Sequence, residues 1–356
     1  MDDIQARACD ATAILIVSFN GIAYLKDCLD SVIASPDAPP ATQIIVVDNA
    51  SADGSVELIQ TFFPGIKLLR LPVNTGFAHG NNVAFAYVRE NLPQVRFVAL
   101  LNQDTIVARN WLKELRDALM SFDDIGSVQS KLLFHAKPDH INSVGNNSHY
   151  LGFGFVGAYQ QRDVGQFGKI RDIAYCCGAA MLVRVSAIRR ENLFDPDYFA
   201  YLEDGELGWY LRLTGLRNIY CPTSIVYHRY EFGRNPRLYF LLERNRWRLL
   251  LGYYHWRTLL VILPALLMME VGLVFYFLRV GAWGQKMRSF GVFGDLPKML
   301  KARREVQKQR IISDRQLTSI FIACPDFAEV RNPLLTWVGN PLLALYWRMA
   351  RLLIWW

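Results

Sequence analysis

What this chain has little of narrows it first. Only 20% of its 356 residues are charged while 52% are hydrophobic, which excludes an intrinsically disordered chain. Its six cysteines, at positions 9, 28, 176, 177, 221 and 324, form no C-x-x-C pair and no metal-knuckle spacing. They read as free thiols of a reducing compartment, not as a disulfide frame. No G-x-x-x-x-G-K-[ST], G-x-S-x-G or H-E-x-x-H occurs, which removes the P-loop, nucleophile-elbow and zincin readings. The N-terminus begins acidic, and its apolar run, Ala13 to Val17, is too short for a signal peptide. A cytosolic chain is therefore expected, in which the N-x-S triplets at Asn49 and Asn146 carry no glycan. A G-x-G-x-x-G does occur at Gly152 to Gly157, but no apolar strand precedes it and a Gln/Gly-rich stretch follows. Dinucleotide binding is set aside, and the segment reads as a mobile loop.

What is present is unevenly distributed. Residues 231–356 hold 19 basic and 8 acidic side chains, a net +11, which leaves −4 for residues 1–230. A basic, hydrophobic rear on an acidic body points to membrane phospholipids as a partner, with no nucleic acid.

The front reads as α/β. Ala13 to Val17, Ile44 to Val47, Ile66 to Leu71 and Phe97 to Leu101 are apolar, β-prone runs, and Gly21 to Ile33, Ser55 to Phe63 and Ala78 to Asn91 read as the helices between them. The pattern predicts a mostly parallel central sheet, whose ligands bind beyond the carboxyl ends of the strands. Those ends carry Ser18 and Asn20, Asp48 and Asn49, Asn74 to Phe77, and Asn102 to Asp104. Each could be a turn or cap; together they suggest a site in which Asp48 accepts from a base N–H and Asp104 holds a hard divalent cation.

Val17 to Asn20, Val47 to Ser55, Asn74 to Asn82, Leu101 to Thr105, Cys177 to Arg184 and Phe199 to Leu207 follow one another in an order that resembles the motifs of family 2 glycosyltransferases with the GT-A fold, in the rhamnosyltransferase-like branch. The resemblance covers roughly residues 12–250. It implies a nucleotide-diphosphate sugar donor contacted by Ser18, Asn20, Asp48, Asn74, Gly76, Asn102 and Gln103. It also implies Mg2+ or Mn2+ at Asp104 and His228, with Asp204 as general base beside Glu203. The expected D-x-D is here Asn102-Gln103-Asp104, with one carboxylate, and Tyr210 stands where relatives often carry Arg, with Arg212 two places on.

Thr258 to Leu278 has one charge, Glu270, and is long enough to cross hydrocarbon. Basic residues flank it on both sides, and Pro264, Glu270 and Gly272 suit a break, so a re-entrant hairpin is preferred to a straight crossing. Lys298 to Arg310 reads as a basic helix and Leu342 to Trp356 as an interfacial one. Domains are expected at 1–250 (GT-A type) and 251–356 (helical, membrane-associated). Arg212, Arg244 and Arg246 are candidate acceptor or phosphate contacts. The expected protein is a metal-dependent inverting glycosyltransferase at the cytoplasmic face of the cell membrane, moving a sugar such as rhamnose to a lipid-linked saccharide in surface glycan biosynthesis. The alternatives are a polyprenyl-phosphate sugar synthase and an inactive membrane scaffold.

Overall fold

The computed structural model describes residues 11–40, 43–230, 236–324 and 335–356; Cys9 lies outside them. The chain divides into two compact units: Met1–Asn146 with Val156–Leu211 and Leu216–Glu231, and Asn147–Phe155 with Arg212–Gly215 and Phe232–Trp356.

In the first unit, strands β1 (Thr12–Ser18), β2 (Ile44–Asp48), β3 (Lys67–Arg70) and β4 (Phe97–Leu101) lie parallel in the order β4-β1-β2-β3. β1, β2 and β4 are Val/Ile/Leu-rich and buried along their length, as strands covered on both faces must be. Helices α1 (Leu25–Ile33), α2 (Ser55–Phe62) and α3 (Gly76–Asn91) alternate with them, and α4 (Trp111–Met120) follows β5 (Thr105–Val107). α1 starts later than the apolar pattern suggests. The backbone N–H groups of Asn20, Gly21 and Ile22 are taken by the side chains of Ser51, Ser55 and Asp53, which holds this stretch out of the helix.

The expectation of a mostly parallel sheet requires correction: the sheet is mixed. After β6 (Ile125–Phe134), the chain runs through β7 (Lys137–Ser143), β8 (Asn146–Ser148), β9 (Gly154–Val156) and β10 (Arg171–Ile173) before entering β11 (Ala180–Arg184). This return is made of strands, not of a crossover helix, so β11 inserts antiparallel to both β4 and β6. Helix α5 (Glu203–Leu213) then leads to β12 (Arg217–His228), which lies parallel to β6 and, at its far end, antiparallel to β5. The glycine-rich segment expected to be a mobile loop is part of a hairpin, β9 pairing with β8. Gly152 makes its turn at φ +81°, where a Cβ would lie 2.9 Å from Leu250 Cγ.

The second unit contains α6 (Pro236–Tyr253), α7 (Trp256–Arg279), α8 (Trp283–Ser289), α9 (Leu296–Lys308), α10 (Asp314–Leu317) and α11 (Asn340–Leu353). Since α6 belongs to it, the boundary falls before residue 250. The hairpin expected over 258–278 is not found: α7 is one continuous helix with Pro264 inside it. The charge that suggested a break is neutralised in place. Glu270 pairs with Arg246 and with Lys286 (2.6 Å), and Glu243 pairs with the same two cations (3.0 and 2.5 Å). Lys286, read from sequence as a membrane flank, is fully buried in this quartet.

Two carboxylates and two cations balance there, so removing one leaves a buried charge without a partner, at a cost of about 3–5 kcal/mol. Lys286→Met should therefore lower stability by about that amount, measured as a shift of the denaturant midpoint.

Candidate active site

The polar ends of β1 and β2 are laced together by side chains. Asn20, at φ 49°, donates from its backbone N–H to Ser51 Oγ (2.9 Å) and accepts at Oδ1 from Ala52 N–H (3.0 Å). Asp53 accepts from Ile22 N–H (2.9 Å) and from the Ser55 hydroxyl. Partial burial would raise the Asp53 carboxyl pKa, but these donors hold it below the usual carboxylate value. Asp48 ends β2 with 2% exposure, its oxygens facing the Ser51 N–H at 3.3 and 3.4 Å.

Beside it, Asn49 joins two motifs. Its Oδ1 accepts from Thr75 N–H (2.8 Å) and Oγ1 (3.2 Å), and its Nδ2 donates to Asn74 Oδ1 and to the Gly76 carbonyl, both at 3.1 Å. Asn74 also accepts from Gly76 N–H (2.9 Å). Gly76 is at φ +86°, and a Cβ there would lie 2.3 Å from the Phe199 carbonyl oxygen, so only glycine fits. On the other flank, Gln103 exchanges two 3.1 Å hydrogen bonds with the backbone of Phe19. Ser18 is fully buried, its hydroxyl without a hydrogen-bond partner.

Asp104 and His228 are 124 positions apart and meet through sheet register: β5 pairs with the end of β12 so that Thr105 faces His228. His228 Nε2 lies 3.3 Å from Asp104 Oδ1, and its Nδ1 lies 2.9 Å from Asn142 Oδ1 on β7. The contact with Asn142 on one ring edge turns the Nε2 edge toward the Asp104 carboxylate. Asn142 was not legible as a site residue. Its role exists only through the pairing of β7 with β6 and of β6 with β12, and no local motif marks it.

Asp204 sits in the first turn of α5, where the helix dipole favours a carboxylate. Its Oδ2 accepts from Gly178 N–H (3.1 Å) and its Oδ1 from Gly205 N–H (2.7 Å). The next residue, Ala179, accepts from Asn102 N–H (3.0 Å). Residues 178 and 179 thus tie the Asp204 carboxylate to the Asn102-Gln103-Asp104 turn. Burial raises the Asp204 carboxyl to about 6, the backbone donors offsetting part of the effect. Glu203, 6% exposed with an unpartnered Oε2, is pushed well above the carboxylate range by burial and by Asp204 beside it. The approach to this pair is strained, with Phe199, Tyr201 and Leu202 at φ of 62°, 69° and 63°; such residues cluster where a loop is held for function.

Two adjacent carboxyls at the start of α5, tied through residues 178 and 179 to the strand-end turn at 102–104, form a constellation suited to proton transfer. The model of the family described as "Glycosyl transferase family 2" matches residues 13–191. The chain is a family 2 glycosyltransferase. Among its relatives, rhamnosyltransferase WbbL of Escherichia coli (strain K12) is 28% identical over 246 residues, which cover 66% of this chain and 89% of the relative. An N-acetylglucosaminyl-diphospho-decaprenol L-rhamnosyltransferase of Mycobacterium tuberculosis is 24% identical over 247 residues, 64% of this chain and 79% of the relative. The GT-A fold is shared with a crystal structure of GalNAc-T7 with UDP, GalNAc and Mn2+, at TM-score 0.53 and 14% identity, over 70% of this chain and 49% of that one. A Staphylococcus aureus TarS structure aligns at TM-score 0.50 and 14% identity, over 96% of this chain and 55% of that one. This chain thus spans about half the length of either structure. The glycosyltransferase is rhamnosyltransferase-like.

The glycosyltransferase brings Asp48, Asn74, Gly76, Asn102, Gln103, Asp104, His228, Glu203 and Asp204 into one unit, along its strand ends and the N-terminus of α5. Arg212, Arg244 and Arg246 belong to the second unit. Arg246 is not a phosphate contact: it is 1% exposed, paired with Glu243 and Glu270 and bonded to the Leu151 carbonyl (3.4 Å). Arg244 turns to Asn245 Oδ1 (2.9 Å). Tyr210, at the position where an Arg was expected, is a buried packing residue whose hydroxyl accepts from Arg189 N–H (3.0 Å) and whose ring lies under Arg190.

Asn49→Ala removes a 2%-exposed side chain that satisfies Thr75 and Gly76. It should cost about 1–3 kcal/mol of stability and weaken nucleotide-sugar binding, measured by denaturation and by calorimetric titration.

Proposed function

We propose that this enzyme is an inverting glycosyltransferase, membrane-associated at the cytoplasmic leaflet, that moves rhamnose from a nucleotide-diphosphate donor to a lipid-linked saccharide. The reading of a lipid-linked acceptor is supported by the printed name of the M. tuberculosis relative, and rhamnose by the names of both relatives. The observation that carries the chemistry is the placement of Asp204, a half-buried carboxylate in the first turn of α5 anchored by Gly178 N–H; burial raises its pKa to about 6.

An acceptor hydroxyl is a weak nucleophile and needs a base as it attacks the anomeric carbon. Asp204 takes that proton on one carboxylate oxygen. Burial and the neighbouring Asp204 push the Glu203 carboxyl upward, the direction that favours its protonated form, and Gly178 N–H fixes where the base points. Asp48 accepts from a base N–H of the donor, within the lattice built by Asn49, Asn74 and Gly76. A single displacement inverts the anomeric centre.

The donor set at Asp104 fits a divalent cation: one carboxylate oxygen and one imidazole nitrogen 3.3 Å apart, the imidazole oriented by Asn142. Among the described residues no three His, Cys, Asp or Glu side chains converge, so Asp104 and His228 would be its protein ligands. Mg2+ or Mn2+ there supplies positive charge for the departing diphosphate.

Because Asp204 works only when ionised and its pKa is raised to about 6, the transfer rate should be flat above that pH and fall about tenfold per unit below it. Asp204→Asn should abolish that limb and lower kcat by about 100- to 10,000-fold with donor binding retained; wild-type rates in the purified variant remove Asp204 from the role. Chelation should stop transfer and Mn2+ restore it, with His228→Ala raising the Mn2+ needed for half-maximal rate.

A further inference from the structure

The helices of the second unit leave one apolar face uncovered. On α7 the residues facing inward are Thr258, Ile262, Ala265, Leu266, Met269, Leu273 and Phe277, all buried. The opposite face carries Leu260, Leu267, Val271 and Phe275 at 69%, 57%, 58% and 68% exposure. α11 repeats the pattern with Leu342, Leu345, Met349 and Leu352 exposed at helical spacing over a buried Leu343, Trp347 and Ala350. The two helices are joined side by side, Tyr346 donating to the Val261 carbonyl (2.5 Å) and Trp356 Nε1 to Thr258 Oγ1 (2.8 Å). Their stripes are therefore neighbours on one surface, far larger than scattered surface leucines would make.

Charge says what covers it. The only carboxylate on either helix, Glu270, is spent in the buried quartet, while Arg257, Arg279, Arg348 and Arg351 are all exposed. Exposed Trp256 and Trp355 add aromatic rings of the kind that settle at headgroup level. A second copy of this chain would bring arginines against arginines; an anionic leaflet matches them.

The same geometry excludes a crossing. Glu270 lies near the middle of α7 and is bound to Arg246 of α6 and Lys286 of α8. α6 is held in turn by the polar helix α9, through Arg303 to the Leu251 carbonyl (2.5 Å) and Gln307 to the Gly252 and Tyr253 carbonyls (both 2.9 Å). Threading α7 through a bilayer would draw this charged assembly into hydrocarbon.

We infer that α7 and α11 form a one-sided docking surface that lies in the plane of an anionic lipid leaflet, with Leu260, Leu267, Val271, Phe275, Leu345 and Met349 immersed and the arginines at the phosphates. This rests on the membrane-associated part of the reading above and not on the transfer reaction.

Full-length enzyme should float with phosphatidylglycerol/phosphatidylethanolamine vesicles and much less with phosphatidylcholine. Leu267→Asp with Leu345→Asp, both at exposed positions, should reduce partitioning at least about tenfold, with unchanged thermal unfolding. In a background of Cys9→Ser and Cys324→Ser, Arg257→Cys and Val280→Cys should each react with an impermeant maleimide added outside the vesicles. Equal flotation of the aspartate variant, equal binding to neutral vesicles, protection of one of the two labels, or a dimer dissolved by the aspartates without vesicle binding would each overturn the inference. Donor hydrolysis by the same preparations reads the enzymatic assignment separately, so either can fail alone.

Discussion

The antiparallel seating of β11 against β4 is the constraint on which the site depends. It places Ala179 opposite the end of β4, where its carbonyl takes the N–H of Asn102, and it leaves the N–H of Gly178 free to reach Asp204. Asp204, the proposed base, and the turn that carries Asp104, the proposed metal carboxylate, come from segments 100 positions apart and are thereby tied to one two-residue stretch of backbone. Main-chain hydrogen bonds inside a sheet are stiff, and positioning to a fraction of an ångström is what this chemistry requires. Had β11 run parallel, its start would lie at the other edge of the sheet, and Asp204 would have no anchor near the crevice.

Around that anchor, the environment treats two neighbouring carboxyls unequally. Burial raises both, but Asp204 receives two backbone N–H donors while Glu203 has an oxygen with none. The positive-φ backbone at Phe199, Tyr201 and Leu202 delivers them there. Gly76 closes against the Phe199 carbonyl, so the loop before Asp204 and the turn at Asn74 to Gly76 are in direct contact. The strain is local and is opposed by the packing of glycines that admit close approach.

Much of this was legible in the amino-acid order. The apolar runs ending at Val17, Val47 and Leu101 marked the parallel strands and, with them, the edge where polar residues gather. The pairing of Asp104 with His228 followed from family likeness, not from local pattern, because it is created by β12 meeting β5 in a register no short window contains. Asn142 was invisible for the same reason. The expected mostly parallel sheet proved mixed because the direction of β11 has no mark in its own residues; only the nature of the preceding connection decides it. The most instructive miss is Glu270. A carboxylate in an apolar run reads as a place for the helix to break, and Arg246 in a basic cluster reads as a phosphate contact. Each is explained by the other, and neither sequence neighbourhood mentions its partner.

That quartet of Glu243, Arg246, Glu270 and Lys286 has an evolutionary corollary. Its electrical sum is zero and its members are buried or nearly so, so drift at one member must be answered at another. Lineages descended from this chain should swap these positions in compensating couples or replace the set wholesale with hydrocarbon. A solitary change would be the rarest pattern.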